Sequence, residues 1–188
     1  MDPALDEAVR ALRAGELVVY PTDTLLGLAA RATDGRAVAR LERLKQRPAD
    51  QPISVAVRSL PEVEAWTDLG ASARRFVRTH LPGPYTLVAR PSRLARRELA
   101  PAIFARDGTL GVRLPDHPVA RELARRAGPI TATSANLHGR PPCRTVNEAR
   151  RSFGSKVRVY LGTGPRGSGR PSTLVDLTGA DPRALVRR

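Results

Sequence analysis

The stretch "LKQRPADQPISVAV", residues 44–57, sets the alternation from which the fold is read. Upstream of it, Val38, Leu41 and Leu44 recur at helical spacing behind Asp34, a residue type that caps helices. That spacing predicts a helix over 35–46. Pro48 stops it, because proline disfavours helical backbone in the residue before it. Residues 52–57 are then a short apolar run, which predicts a buried strand. A helix feeding a strand buried on both faces is the unit of an α/β sheet.

The same alternation runs through the rest of the chain. Asp2 and Pro3 open a helix that reaches about Ala14 and closes at Gly15. "ELVVY" (16–20) reads as a strand, "PTDT" as a polar turn, and "LLGLAAR" (25–31) as a segment entering the core. "LPEVEAW" and "SARRFVRTHL" read as short helices. Strands follow at "YTLVAR" (85–90) and "GTLGVRLP" (108–115), then a helix over 117–127 and the strand "ITAT" (130–133). "SANLHGRPP" is a loop before a helix at about 145–152. "VRVYL", "STLVDL" and "ALVRR" read as the last strands. No repeat or linker interrupts the pattern. The expected architecture is one α/β domain over 1–188, with a twisted sheet of mixed parallel and antiparallel strands flanked by helices.

Composition narrows the function classes. Hydrophobic residues make up 41% of the chain and aromatics 4%, so the core is built from Val, Leu, Ile and Ala. No apolar run is long enough to span a bilayer. The N-terminus lacks the basic n-region and the cleavage site of a secretory signal. One cysteine, Cys143, excludes an internal disulfide and a cysteine-rich metal site. A cytoplasmic protein is expected. The net charge of +14 favours polyanions, either nucleic acid or nucleotides. The alternative is a set of solvated helix faces, since Arg pairs fall at 74–75, 96–97, 125–126 and 150–151. His80, His117 and His138 have no metal-ligand spacing, and Trp66 reads as packing. The Gly-rich basic stretch 162–171 reads either as a loop closing over phosphates or as a surface loop.

Four segments put hydroxyls, an amide or a fixed charge at strand ends, where open α/β sheets bind ligands. In "YPTDTLLGLA", the hydroxyls of Thr22 and Thr24 either close a turn or bind a polar ligand, and Asp23 reads as a turn cap. In "LKQRP", Lys45 and Arg47 either complement a helix C-terminus or clamp an anion. Lysine is rare here: thirty of the thirty-two Lys and Arg residues are arginine. A narrow pocket that accepts a compact ammonium and excludes a planar guanidinium would account for Lys45. In "GVRLP", Arg113 falls inside a buried strand with no carboxylate alternating beside it. Its partner is then a distant Asp or Glu, or a ligand carboxylate. In "ITATSANLHG", Thr131, Thr133, Ser134 and Asn136 offer a cradle for a phosphate or a nucleotide. "RPSTLVD" repeats the hydroxyl pattern with Ser172 and Thr173.

Together and in this order, "YPTDTLLGLA", "KQRP", "GVRLP", "TSAN" and "STLVD" resemble the YrdC/TsaC family of threonylcarbamoyl-AMP synthases. The resemblance implies a single domain with a wide basic cavity. It implies a nucleotidyltransferase reaction of L-threonine, bicarbonate and ATP to L-threonylcarbamoyl-adenylate and pyrophosphate, serving a tRNA modification completed by a partner transferase. It places Lys45, Arg47, Ser134 and Asn136 on the ATP, with Lys45 and Arg47 as the catalytic pair and Arg187 as a further ATP contact. It places Thr24, Arg113 and Ser172 on threonine, with Arg113 on the carboxylate. Mg²⁺ would be held mainly by phosphates, and tRNA or RNA is a further candidate partner. The chain departs from the family pattern at Leu26, Ala56 and Pro171, and Arg187 stands in a shortened C-terminus. Two rival readings follow: a non-catalytic RNA-binding protein of this fold, and a paralogue with an altered substrate.

Overall fold

Helix caps laid down in the sequence set where the first layers begin. The computed structural model describes residues 2–46, 52–162 and 167–185. Asp2 accepts a hydrogen bond from the Ala4 amide and opens α1 (Pro3–Arg13). Asp34 accepts from the Arg36 and Ala37 amides and opens α2 (Gly35–Lys45). Each cap satisfies amides that the first helical turn leaves unpaired. Further helices are α3 (Leu60–Trp66), α4 (Ala71–His80), α5 (Arg93–Glu98), α6 (Pro118–Ala127) and α7 (Val146–Phe153). None of the described helices is long and apolar enough to cross a membrane.

The strands form two sheets where one was expected. The first contains β1 (Val18–Tyr20), β2 (Gly27–Ala29), β8 (Thr133–Ser134) and β9 (Val159–Tyr160), in the order β8-β2-β1-β9. Only the β1–β9 pair is parallel. The second contains β3 (Val55–Ala56), β5 (Tyr85–Pro91), β6 (Leu110–Arg113), β7 (Ile130–Thr131), β10 (Thr173–Asp176) and β11 (Arg183–Leu185). Its order is β11-β10-β5-β6-β3-β7, with β4 (Thr67–Asp68) joining β5. Here β5–β10 and β3–β6 are parallel and the other pairs antiparallel.

"ITAT" is the corner between the sheets. It breaks at Ala132, whose amide donates to Ser54 O at 2.7 Å, so Thr131 stays in the second sheet and Thr133 enters the first. Thr131 locks the joint. Its hydroxyl donates to Leu28 O at 3.0 Å and accepts from the Ala30 amide at 2.9 Å, while its carbonyl accepts from Tyr20 Oη at 3.1 Å. The Tyr20 ring lies against Gly27, where an added Cβ would fall 2.5 Å from a ring carbon, so that position excludes any larger residue.

Alternation of side chains places the core on both faces. Val18, Tyr20, Ala29 and Ala56 pack under α1 and α6, in contact with Leu12 and Leu123. Leu17, Val19, Leu28, Val55 and Val57 point the other way, into the larger cluster with Val38, Leu41, Trp66 and Phe153. Each such Val or Leu, fully buried, contributes roughly 1.5–3 kcal/mol from apolar transfer. Trp66 is a packing residue, as read. The Arg pairs at 74–75, 96–97 and 150–151 are exposed on helices.

Candidate active site

Short strands with polar residues at their ends leave a cleft of about 560 Å³ between the two sheets. Four elements each deliver one sequence-predicted residue to its wall: Thr24 from the turn after β1, Arg113 from the end of β6, Ser134 from β8 and Ser172 ahead of β10. Leu26 and Pro171, two of the departures from the family pattern, line the same cleft. Ala56 does not. It is fully buried in β3, directly opposite Arg113 in the ladder.

Arg113 is 8% exposed and has the partner that its own strand lacks. Its Nη2 donates to Asp23 Oδ1 at 3.1 Å and to Thr24 Oγ1 at 2.9 Å. Of the two partners left open for it, the distant acid is present: Asp23, ninety residues away, supplies a carboxylate within the protein. Asp23 is also not the turn cap. Thr22 does that work, accepting from the Thr24 amide at 3.1 Å and donating from its hydroxyl to Leu25 O at 2.6 Å. The Thr22 hydroxyl proton is thus committed, so in the 3.1 Å contact between the two hydroxyls Thr24 is the donor. One directed chain runs from Arg113 through Thr24 and Thr22 to Leu25. The ion pair is incompletely satisfied, since Arg113 Nε and Asp23 Oδ2 are buried without a hydrogen-bond partner.

Lys45 is a buried residue, 3% exposed, at the last turn of α2. Its ammonium donates to Ser134 O at 2.6 Å and Asn136 O at 2.9 Å, with Asn136 Oδ1 at 3.3 Å. These acceptors surround a point charge, a geometry that suits three rotatable N–H donors and not a planar fork. Asn136 is equally committed. Its Oδ1 accepts from Ser134 Oγ at 2.5 Å, and its Nδ2 donates to Leu137 O at 2.9 Å and Arg140 O at 2.8 Å. Backbone bonds complete the weave, from His138 N to Lys45 O and from Ala135 N to Leu26 O, each at 2.8 Å. Lys45 and Asn136 therefore stand behind Ser134 and hold its loop, while Ser134 itself faces the cleft. Arg47 and Arg187 lie outside the described residues.

Two contributors escaped sequence reasoning. Thr86, 3% exposed in β5, meets the Ser172 hydroxyl at 2.7 Å. Its signal was a lone hydroxyl inside an apolar strand. Asp23 was visible, but its pairing was not. Burial drives the Tyr20 hydroxyl pKa well above its ordinary value, with Arg113 opposing the shift, so this phenol is a fixed hydrogen-bond donor and not a proton shuttle. Cys143 is buried, with its amide on Ala135 O and its sulfur 3.7 Å from Ser152 Oγ. It is a structural residue of the same loop. Among the described residues, no three His, Cys, Asp or Glu side chains gather as a metal site.

Comparison with known proteins places this arrangement among relatives. A family model, Sua5_yciO_yrdC, described as telomere recombination, matches residues 10–188. A Mycobacterium tuberculosis protein provisionally named threonylcarbamoyl-AMP synthase is 42% identical over 179 residues, covering 95% of this chain and 81% of that one. The Photobacterium profundum threonylcarbamoyl-AMP synthase is 30% identical over 176 residues, covering 92% and 93%. The crystal structure of Pyrococcus abyssi Sua5 complexed with L-threonine superposes with a TM-score of 0.88 at 32% identity, covering 96% of this chain. This chain spans about half of that protein, 53% of its length.

Proposed function

Because the chain belongs to the Sua5/YciO/YrdC family, we propose that it is a threonylcarbamoyl-AMP synthase, joining L-threonine, bicarbonate and ATP into L-threonylcarbamoyl-adenylate and pyrophosphate. One observation carries the reading: a single cleft gathers Thr24, Arg113, Ser134 and Ser172 from four separate strand ends. Its size is in the range of small-molecule sites.

In this reading Arg113 receives the threonine carboxylate. Nη2 is spent on Asp23 and Thr24, which fix the guanidinium plane, and neither Nε nor Nη1 makes a hydrogen bond to a described residue. Thr24 and Ser172 flank the same ligand. Ser134 meets the nucleotide, on a loop whose position Lys45 and Asn136 impose. Lys45 adds a positive charge behind that loop, and Arg47 is assigned to the phosphates with it. Arg187 is a further contact to the nucleotide.

The chemistry then needs little from side-chain acids and bases. The neutral threonine amine attacks the bicarbonate carbon, and water leaves as the carbamate forms. A carbamate oxygen next attacks the α-phosphate in line, and pyrophosphate departs. Positioning the two substrates and neutralising phosphate charge are the protein's main contributions. Mg²⁺ would be held mainly by phosphate oxygens and water and would help neutralise the phosphate charge.

The test is pyrophosphate release from ATP with labelled bicarbonate, with and without L-threonine. Threonine-dependent release, with label in an adenylate, is expected. Release that ignores threonine would refute the reading. Salt-sensitive RNA binding without turnover would favour the non-catalytic alternative to which the +14 charge also points.

A further inference from the structure

Beside the cleft, residues 167–169 lie across the turn that carries Thr24. Ser168 N donates to Asp23 O and Gly169 N to Thr24 O, each at 2.9 Å. The approach is backbone on backbone. An added Cβ at Gly167 would fall 2.4 Å from Thr24 O and 2.5 Å from Thr22 O, distances that real Cβ atoms do not show. Glycine is required there for space. The neighbouring Gly169 has the opposite need, with a φ of +73 and nothing near its missing Cβ.

We propose that residues 167–169 form a positioning strap, and that the absent side chain of Gly167 sets the seat of the amino-acid substrate. The strap grips the carbonyls of Asp23 and Thr24, and the side chains of those two residues are the ones that hold Arg113 Nη2. The nearest atoms to a methyl group at 167 are backbone, the oxygens of Thr22 and Thr24 and the Thr24 carbonyl carbon, and these cannot rotate aside as a flexible side chain would. Either the strap lifts or the turn moves inward. In both cases Asp23 and Thr24 shift relative to Arg113, which belongs to a different sheet. Displacements near 1 Å at a substrate-orienting group cost up to about a hundredfold in catalytic efficiency. The ATP side of the cleft has braces of its own in Lys45 and Asn136, which hold the loop at Ser134. Gly167 is thus a positioning residue for one substrate and not for the other. The inference rests on the reading that Arg113 receives the threonine carboxylate.

The experiment compares Gly167→Ala with Gly179→Ala, a control in which the added methyl meets nothing within 4 Å. KM for L-threonine, KM for ATP and kcat are measured, together with L-threonine binding by calorimetry and the thermal midpoint. In Gly167→Ala, KM for threonine is expected to rise at least about tenfold, with KM for ATP within about twofold. Ser168→Pro, which removes the amide that grips Asp23 O, is expected to shift the same constant in the same direction. It is the fallback if Gly167→Ala does not fold. An unchanged threonine KM in either folded variant overturns the proposal, as does an equal rise in both KM values. Arg113→Lys separates the two layers of the argument. If it leaves threonine affinity intact, the carboxylate assignment fails; if it weakens threonine while Gly167→Ala does not, only the strap fails.

Discussion

Replacing Lys45 by arginine keeps the charge and tests the geometry alone. The ammonium sits 2.6 and 2.9 Å from two backbone carbonyls and 3.3 Å from an amide oxygen, in a site where the residue is 3% exposed. Guanidinium is longer and flat, so it cannot meet acceptors arranged around a point. Overpacking a filled site costs about 1–3 kcal/mol. Loss of one charged hydrogen bond adds about 1.5–3 kcal/mol. The sum, roughly 2.5–6 kcal/mol, corresponds to a fall in Tm of about 5–24 °C for a chain of this size. The damage has an address, because the ammonium ties α2 to the loop after β8. Amide exchange should quicken at Ala135, His138 and Cys143, whose amides close that loop, and not at Val9 or Leu12 in α1. Scanning calorimetry and hydrogen exchange read both effects, and KM for ATP should rise with them. A Lys45→Arg protein that melts within about 2 °C of the parent, with normal exchange and turnover, would refute the reasoning and make the lysine incidental.

Three further outcomes are expected. Arg113→Lys should raise KM for threonine more than KM for ATP, since Lys cannot bond Asp23 and Thr24 while offering an edge to a carboxylate; equal effects in steady-state kinetics would count against the assignment. Thr131→Val should cost about 1–3 kcal/mol in chemical denaturation, because it leaves Leu28 O and the Ala30 amide short of a partner at the corner between the sheets. Below about pH 4 the protein should lose stability through Asp176, whose pKa is held down first by the Thr178 hydroxyl and amide and then by Arg183. A folded pKa below the unfolded one gives stability that is present above the unfolded value and disappears as pH falls through the folded value. The stability gap between parent and Asp176→Asn should therefore close below pH 4 in thermal melts, and a pH-independent gap would contradict it.

Much of this architecture can be read locally. Asp2 and Asp34 cap helices where the sequence places them, because an N-cap bond joins residues two or three apart. The strand ends that line the cleft were legible for the same reason: a hydroxyl or charge at the end of an apolar run is a local pattern. Relations between distant segments were not. The partner of Arg113 sits ninety residues earlier, and no periodicity records it. The break in "ITAT" was hidden because its four residues alternate like one strand, and only the Ser54 carbonyl that captures the Ala132 amide splits them between sheets. The short helix α5 showed no stripe either, since Ala95 is its one buried residue and Leu94 is exposed. The strap was visible as glycines but not as a contact, for nothing in "GSG" names the carbonyls it meets.

The hydroxyl chain behind Arg113 acts as a polarity filter. Thr24 accepts from the guanidinium and spends its own proton on Thr22, whose proton is spent on Leu25 O. What Thr24 can still show a visitor is a lone pair and never a hydrogen. A ligand atom arriving there must bring its own proton, as an amine or alcohol does, so under the proposed function the wall would sort the two ends of an amino acid: carboxylate toward the guanidinium, proton-bearing groups toward the threonine.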